Sequence, residues 1–243
     1  VMDWASGQRA DLDPNAVLGR APDVSFVIDQ AEIWNTQPGN VLKGHIDLDK
    51  IAVAGHSFGA FTALTVCGAR PILDHLTPEV PPGSGLAPSM RDPRVDVGIA
   101  YSPQGPDGGW FIDSSYASTD CSMLLMSGSR DRQLDSIRGG TMRALNRFRS
   151  YQLMPGGDKY YLWLKNAGHM GWVDFSESGQ GNLDAGAMPP AENEDVLRIS
   201  RAMSVVFLDL YLKGDEGARK YLAEGYAWSL TGRVVKQVDW HQK

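Results

Sequence analysis

Four short apolar runs, Ile51–Ala54, Val95–Tyr101, Cys121–Ser127 and Lys159–Leu164, are spaced along the chain with helix-like stretches and loops between them. Strands that alternate with helices are joined by crossover connections, which make neighbouring strands of one sheet parallel. The expected fold class is therefore α/β, a mostly parallel sheet with flanking helices. In such a sheet ligands bind beyond the carboxyl ends of the strands. The residues that follow each run thus carry the functional expectations.

The first run leads into Gly55-His56-Ser57-Phe58-Gly59 and then into a helix-like stretch from Ala60 to Gly68. A serine flanked in this way sits on a tight strand-to-helix turn with its hydroxyl pushed out above the sheet, the setting of a nucleophile. Gly55 and Gly59 are both expected where a side chain would strike a neighbouring strand or helix, and glycine also tolerates strained backbone. The string alone is only moderately specific, because an ordinary strand-turn-helix junction also needs small residues. The strand before it and the helix after it single it out.

Composition limits what such a serine could serve. The 243 residues are 42% hydrophobic and 21% charged, the balance of one globular domain spanning 1–243 with a sizeable core. The net charge of -6 comes without long basic runs, which leaves no electrostatic footprint for nucleic acid or an anionic membrane. Small neutral or apolar molecules suit it better. No apolar run reaches the length of a membrane span, and no opening stretch has the layout of a signal peptide. No cysteine and histidine spacing suits zinc, so neither a metal nor a cofactor is expected. Cys67 and Cys121 allow one disulfide, but both positions equally suit buried thiols, and the unpaired state is expected.

Elsewhere, residues 1–21 read as polar and irregular. A helix is expected from about 22 to 34, opened by Pro22 and Asp23, with Val24, Val27, Ile28, Ala31 and Trp34 at helical spacing. Thr77 to Pro93 reads as a proline-rich surface loop. Trp110, Phe111 and Tyr116 lie in a loop that either covers a pocket or packs inward. Met142, Leu145, Phe148 and Leu153 recur as one helix. A polar loop from Ser176 to Glu194 precedes the strongest helix, which starts near Asn193. Ile199, Ala202, Met203, Val206, Phe207 and Leu210 share one of its faces, and Gly214 is its stop signal.

A serine hydroxyl is a poor nucleophile until a base takes its proton. The five histidines are not equivalent in this respect. His56 is too close to Ser57 in the chain to fold back on it. His45 and His75 fall at the opposite edge of the sheet, and His241 lies in the C-terminal tail. His169 remains, on the glycine-containing loop after the fourth strand. Asp131 follows the third strand and suits the acid that orients the imidazole, with Gly128 letting the chain turn sharply before it. Asp135 and Asp113 are the alternative acids. An ordinary solvated aspartate paired with Arg130 or Arg132 is the plainer reading of Asp131. Ser57, Asp131 and His169 each lie just past a different strand, so residues scattered in sequence converge on one edge. The backbone N–H of Phe58, the residue after the nucleophile, suits an oxyanion donor.

In this order of nucleophile, acid and base the sequence resembles the α/β-hydrolases. More narrowly it is similar to the bacterial serine esterases of dienelactone-hydrolase-like type, relatives of platelet-activating-factor acetylhydrolase and of chlorophyllase-like and polyester-degrading esterases. The resemblance is carried by Arg20-Ala21-Pro22-Asp23-Val24, by the stretch from Ile46 through Gly59, by Ser102-Pro103-Gln104-Gly105 and by Gly157-Asp158-Lys159-Tyr160 ahead of His169. It implies a carboxylic-ester hydrolase, esterase- or lipase-like, with a small-molecule or polymeric ester as substrate. True dienelactone hydrolases carry a cysteine at the elbow where this chain has Ser57, so the label does not fix the substrate.

The resemblance also implies an earlier strand beside Ile51–Ala54, whose following loop supplies a second oxyanion donor. Nothing ahead of residue 22 reads as a strand, which leaves an exposed apolar edge. The chain is therefore expected to be the C-terminal portion of an α/β-hydrolase fold, lacking on the order of 100 residues if a βα unit takes ~30, with an N-terminal segment or companion chain supplying the rest. The other way to cover the edge is for Arg233–Val238 to pair with it, whereas the resemblance makes that segment a peripheral tail. Tyr101, Trp110, Phe111, Met170 and Trp172 lie on loops near the catalytic edge and form either an apolar substrate pocket or part of the core. The alternative from a different class is a hydrolase-like scaffold that binds a ligand or partner without turnover.

Overall fold

The computed structural model describes residues 13–74, 76, 80–81, 83–135, 140–173, 190–232 and 237–243. His75, and most of the polar stretch read over Ser176 to Glu194, lie outside them.

The chain is mixed α/β with a mostly parallel five-stranded sheet between helices. Strands β1 (Ile51–His56), β2 (Val95–Tyr101), β3 (Ser122–Arg130) and β6 (Lys159–Gly168) run parallel, and β7 (Val238–Gln242) is antiparallel to β6. Their order across the sheet is β1-β2-β3-β6-β7. A separate two-stranded ribbon pairs β4 (Gln133–Leu134) with β5 (Thr141–Met142). Met142 thus belongs to this ribbon, and the helix expected to include it is α4 (Leu145–Leu153).

Side chains alternate across a strand, and here both faces are covered. Met123, Leu125 and Tyr161 point into a core shared with α3 (Phe58–Val66), which is buried from Ala60 to Val66. Leu124, Met126, Tyr160 and Leu162 point the other way, onto Ile199, Met203, Phe207 and Leu210 of α5 (Pro190–Lys213). Burial on both faces explains why the strands read as continuous apolar runs rather than as alternating ones. Gly214, with φ 68, ends α5 in the left-handed conformation that glycine adopts without strain.

The amino-terminal part departs from the sequence reading. Residues 13–21 are not irregular: Asp13 caps α1 (Pro14–Leu18), accepting the Asn15 N–H at 2.9 Å, and α2 runs Arg20–Thr36. The expected apolar face of α2 is only partly used. Ala21 and Ile28 are buried, but Val27 and Trp34 are exposed along with Phe26 and Ile33. Arg94, at the entrance to β2, ties α2 down through Asp29 at 2.6 Å and Glu32 at 2.8 Å while pairing with Asp92 at 2.7 Å.

At the other end the tail is a strand. Trp240 pairs opposite Leu162 and stacks near Tyr160 at 5.4 Å, and His241 lies 4.6 Å from the Phe148 ring. Val238 therefore extends the sheet on the side remote from β1, and the proposed pairing of this segment with β1 does not occur there. Residues 233–236 of the same stretch lie outside the described residues. β1 is the outermost strand, with β2 its one partner among the described residues.

Both cysteines, Cys67 at the end of α3 and Cys121 before β3, are buried free thiols. No helix among the described residues is long and apolar enough to cross a membrane.

Candidate active site

Ser57 closes β1 and precedes α3 with φ 57 and ψ -115, a region that costs a residue other than glycine about 1–3 kcal/mol. Three hydrogen bonds hold it there. Its N–H donates to the Tyr101 carbonyl at 3.0 Å, and its carbonyl accepts the Phe61 N–H at 3.1 Å and the Gln104 side-chain amide at 2.8 Å. Gln104 is fixed in turn by the Tyr116 hydroxyl, which donates to the Gln104 carbonyl at 2.8 Å. A Cβ at Gly55 would run into the backbone of Gly59, as a crowded turn requires. A Cβ at Gly59 would meet open space, so the steric expectation holds for Gly55 and not for Gly59.

The ends of β1, β3 and β6 bring the three dispersed residues together. His169 Nε2 lies 2.9 Å from Ser57 Oγ, and His169 Nδ1 lies 2.9 Å from Asp131 Oδ1. An ionised carboxylate only accepts hydrogen bonds, so Nδ1 carries the proton and Nε2 offers its lone pair to the serine hydroxyl. Asp131 Oδ2 accepts from Ser127 Oγ at 2.9 Å. Burial pushes the Asp131 carboxyl up, but the Arg147 guanidinium and the hydrogen bond from His169 outweigh it and leave the group below the ordinary carboxylate range. It is an anion at neutral pH. Asp113, by contrast, faces Arg149 at 2.6 Å.

Gly128 serves Asp131 differently from the expectation. Its φ is not positive, and what excludes a side chain is close packing: a Cβ would collide with Ala167 and with the Leu164 carbonyl on β6. The glycine lets β3 and β6 approach just before the residues that carry Asp131 and His169.

The sequence reading assigns Arg147 no role, sets His56 aside as a base and names Gln104 only within a shared motif. Arg147 is buried on α4 and pairs with Asp131, with Nε 2.9 Å from Oδ1. This replaces the surface pairing with Arg130 or Arg132. The Nε hydrogen goes to the Asp131 main-chain carbonyl at 3.0 Å, and the two terminal nitrogens donate to the carbonyls of Ser102 at 2.8 Å, Pro103 at 2.9 Å and Arg132 at 3.1 Å. The signal that could have found it is its place in the stripe 147, 150, 151, 154, where Ser150, Tyr151 and Met154 are all buried.

His56 donates from Nε2 to the His169 carbonyl at 2.7 Å, with the two rings 4.9 Å apart. Burial first, and then the proximity of His169, lower its pKa from 6.5 to about 4. A histidine that binds its proton more weakly in the folded chain than in the unfolded one contributes stability that is complete above pH 6.5 and lost as pH falls toward about 4. The melting temperature is expected to fall across that window. His56→Gln, which keeps a donor but cannot charge, is expected to flatten the fall; an unchanged slope in calorimetry would assign it to other groups.

Phe58 is the first residue of α3. The first N–H groups of a helix have no intrahelical acceptor and sit at the positive end of its dipole, so this N–H is available beside Ser57. The Phe58 ring is held by Arg20, 4.4 Å above it, and by Trp110 at 5.1 Å.

The aromatic residues expected to line a pocket divide. Phe111 is fully buried, stacked on Phe61 at 5.2 Å, and is a core residue. Trp110 and Trp172 are nearly as buried, so the inward reading of the aromatic loop applies. Loop position does not distinguish an aromatic over a pocket from one beneath it. Tyr101 and Met170 keep partial exposure at the sheet edge that carries Ser57; the Tyr101 hydroxyl is within 2.7 Å of Ser204 Oγ. An open cleft of about 520 Å³ lies nearby between Arg130, Arg132, Arg143, Leu145 and Trp163, and none of the five residues lines it.

Among the described residues no group of three or more His, Cys, Asp or Glu side chains is placed to hold a metal ion. No protein-family model and no curated protein matches the chain.

Proposed function

We propose that the chain is a serine hydrolase of the α/β-hydrolase class. Within that class, the reading we favour is a carboxylic-ester hydrolase similar to the dienelactone-hydrolase-like esterases, acting on a small-molecule or polymeric ester. The observation that carries this is the continuous relay from Ser57 Oγ to His169 Nε2 and from His169 Nδ1 to Asp131 Oδ1, each step 2.9 Å, at a serine held in a strained turn.

The chemistry follows from that relay. Ser57 Oγ attacks the ester carbonyl carbon as its proton passes to His169 Nε2, and the imidazolium so formed is stabilised by Asp131. The carbonyl oxygen becomes an oxyanion facing the Phe58 N–H; one such donor is typically worth ~3 kcal/mol of transition-state stabilisation. Collapse expels the alcohol, which takes the proton from Nε2 and leaves an acyl-serine. Water, deprotonated by the same nitrogen, then releases the acid and restores Ser57.

Covalent labelling with a fluorophosphonate tests the assignment. The intact protein is expected to add one probe molecule, and Ser57→Ala none. Labelling that survives in Ser57→Ala would overturn the assignment of Ser57 as the nucleophile, and an intact protein that neither labels nor hydrolyses p-nitrophenyl esters would favour a binding scaffold.

A further inference from the structure

Arg147 has more contact with the relay than anchoring a helix requires. Its guanidinium is almost wholly buried, and every nitrogen reaches either the relay or the backbone beside it. Nε faces Asp131 Oδ1 at 2.9 Å, and Nη2 lies 3.1 Å from His169 Nδ1. That nitrogen already donates its hydrogen to Asp131, so Arg147 brings positive charge against an N–H edge rather than a lone pair.

The resting site therefore holds a buried +1/-1 pair beside a neutral imidazole. When His169 accepts a proton, the cluster becomes net positive. A carboxylate alone would favour that imidazolium; a carboxylate already matched by a guanidinium favours it much less. Among the described residues, the other groups facing the pair do not supply the missing negative charge. His56, from the end of β1, is neutral above pH of about 4. Tyr161, from β6, is fully buried with its phenol pushed up by burial. Arg130 and Arg132 flank Asp131 in the chain and are exposed.

We infer that Arg147 is a positioning residue of the relay: it clamps the Asp131 loop and the end of β2 through four carbonyls, and its charge, held 3.1 Å from His169 Nδ1, opposes a second positive charge on that ring. This rests on the esterase reading for its kinetic consequence but not for its electrostatic one, and the test separates the two.

Arg147→Gln retains an amide donor but removes the charge, whereas Arg147→Lys retains the charge and loses the fork. In Arg147→Gln the acid limb of the kcat/KM profile is expected to move up by about one pH unit, the scale of removing one nearby charge, with kcat lowered about tenfold. In Arg147→Lys kcat is expected to fall similarly while the limb stays near the parent position. A folded Arg147→Gln variant with an unmoved limb, or equal shifts in both variants, would overturn the inference and leave Arg147 a packing residue.

The second measurement needs neither turnover nor a change at position 147. In Ser57→Ala protein followed by NMR, the Arg147 Nε–H resonance is expected to shift with the same midpoint as the His169 ring. An Arg147 resonance blind to that titration would refute the coupling even if Arg147→Gln failed to fold. If the coupling is present in a protein without esterase activity, the proposed reaction fails and the electrostatic inference stands.

Discussion

Asp131→Asn is expected to lower kcat/KM by about 10⁴-fold, the scale seen when a triad carboxylate becomes an amide. The reason in this protein is specific. With the carboxylate gone, His169 Nδ1 no longer faces an anion, and the nearest strong donor is Arg147 Nη2 at 3.1 Å. The guanidinium would then donate to Nδ1 and hold the imidazole in the tautomer whose Nε2 carries the hydrogen, which cannot accept from Ser57. The same change leaves Arg147 as a buried, unpaired cation, a situation that typically costs 3–5 kcal/mol, or roughly 6–20 °C in melting temperature for a domain of this size. Ester hydrolysis and thermal denaturation, measured on one preparation, check both halves. Retention of more than a tenth of the activity would show that Asp131 does not control the tautomer.

Gly55→Ala is expected to be nearly as damaging through sterics alone. The added methyl would meet the carbonyl and Cα of Gly59, backbone atoms at the start of a helix that is buried from Ala60 onward. The backbone has to move, and Ser57 sits between the two residues. Overpacking of this kind costs about 1–3 kcal/mol or more, and a displacement of about 1 Å at the nucleophile can cost 10²-fold in rate. Gly59→Ala, where a Cβ meets nothing within 4 Å, is the internal control and is expected to stay close to the parent in melting temperature. Equal effects at the two glycines would show that crowding is not what the turn requires.

The difference between these glycines illustrates what the sequence could convey. Ser57, Asp131 and His169 were legible because each follows an apolar run and a turn, so their placement at one sheet edge came from strand direction alone. The strands at Val95–Tyr101 and after Cys121 were legible for the same reason. Residues that act through main-chain carbonyls left no such mark. Arg147 donates to four carbonyls from distant segments, and His56 grips the backbone of His169, the proposed base. Neither pairing has a spacing to read. Phe111 and Tyr116 were ambiguous because loop position does not tell inside from outside. Val238 to Gln242 was missed because an edge strand that carries Asp239, His241 and Gln242 among five residues has the composition of a tail.

The position of β1 has a consequence for how protection against solvent is distributed. In an edge strand alternate N–H groups point away from the one partner, so half of β1 has no ladder bond among the described residues. α3, which begins one residue beyond Ser57, is buried along nearly its whole length. Amide hydrogen exchange should therefore change abruptly across a single turn, fast on the outward amides of Ala52 to Ala54 and slow from Phe61 to Val66. Ser57 lies at that boundary. Any opening of the chain that begins at the side of β1 away from β2 would loosen the serine before it disturbed the helix behind it.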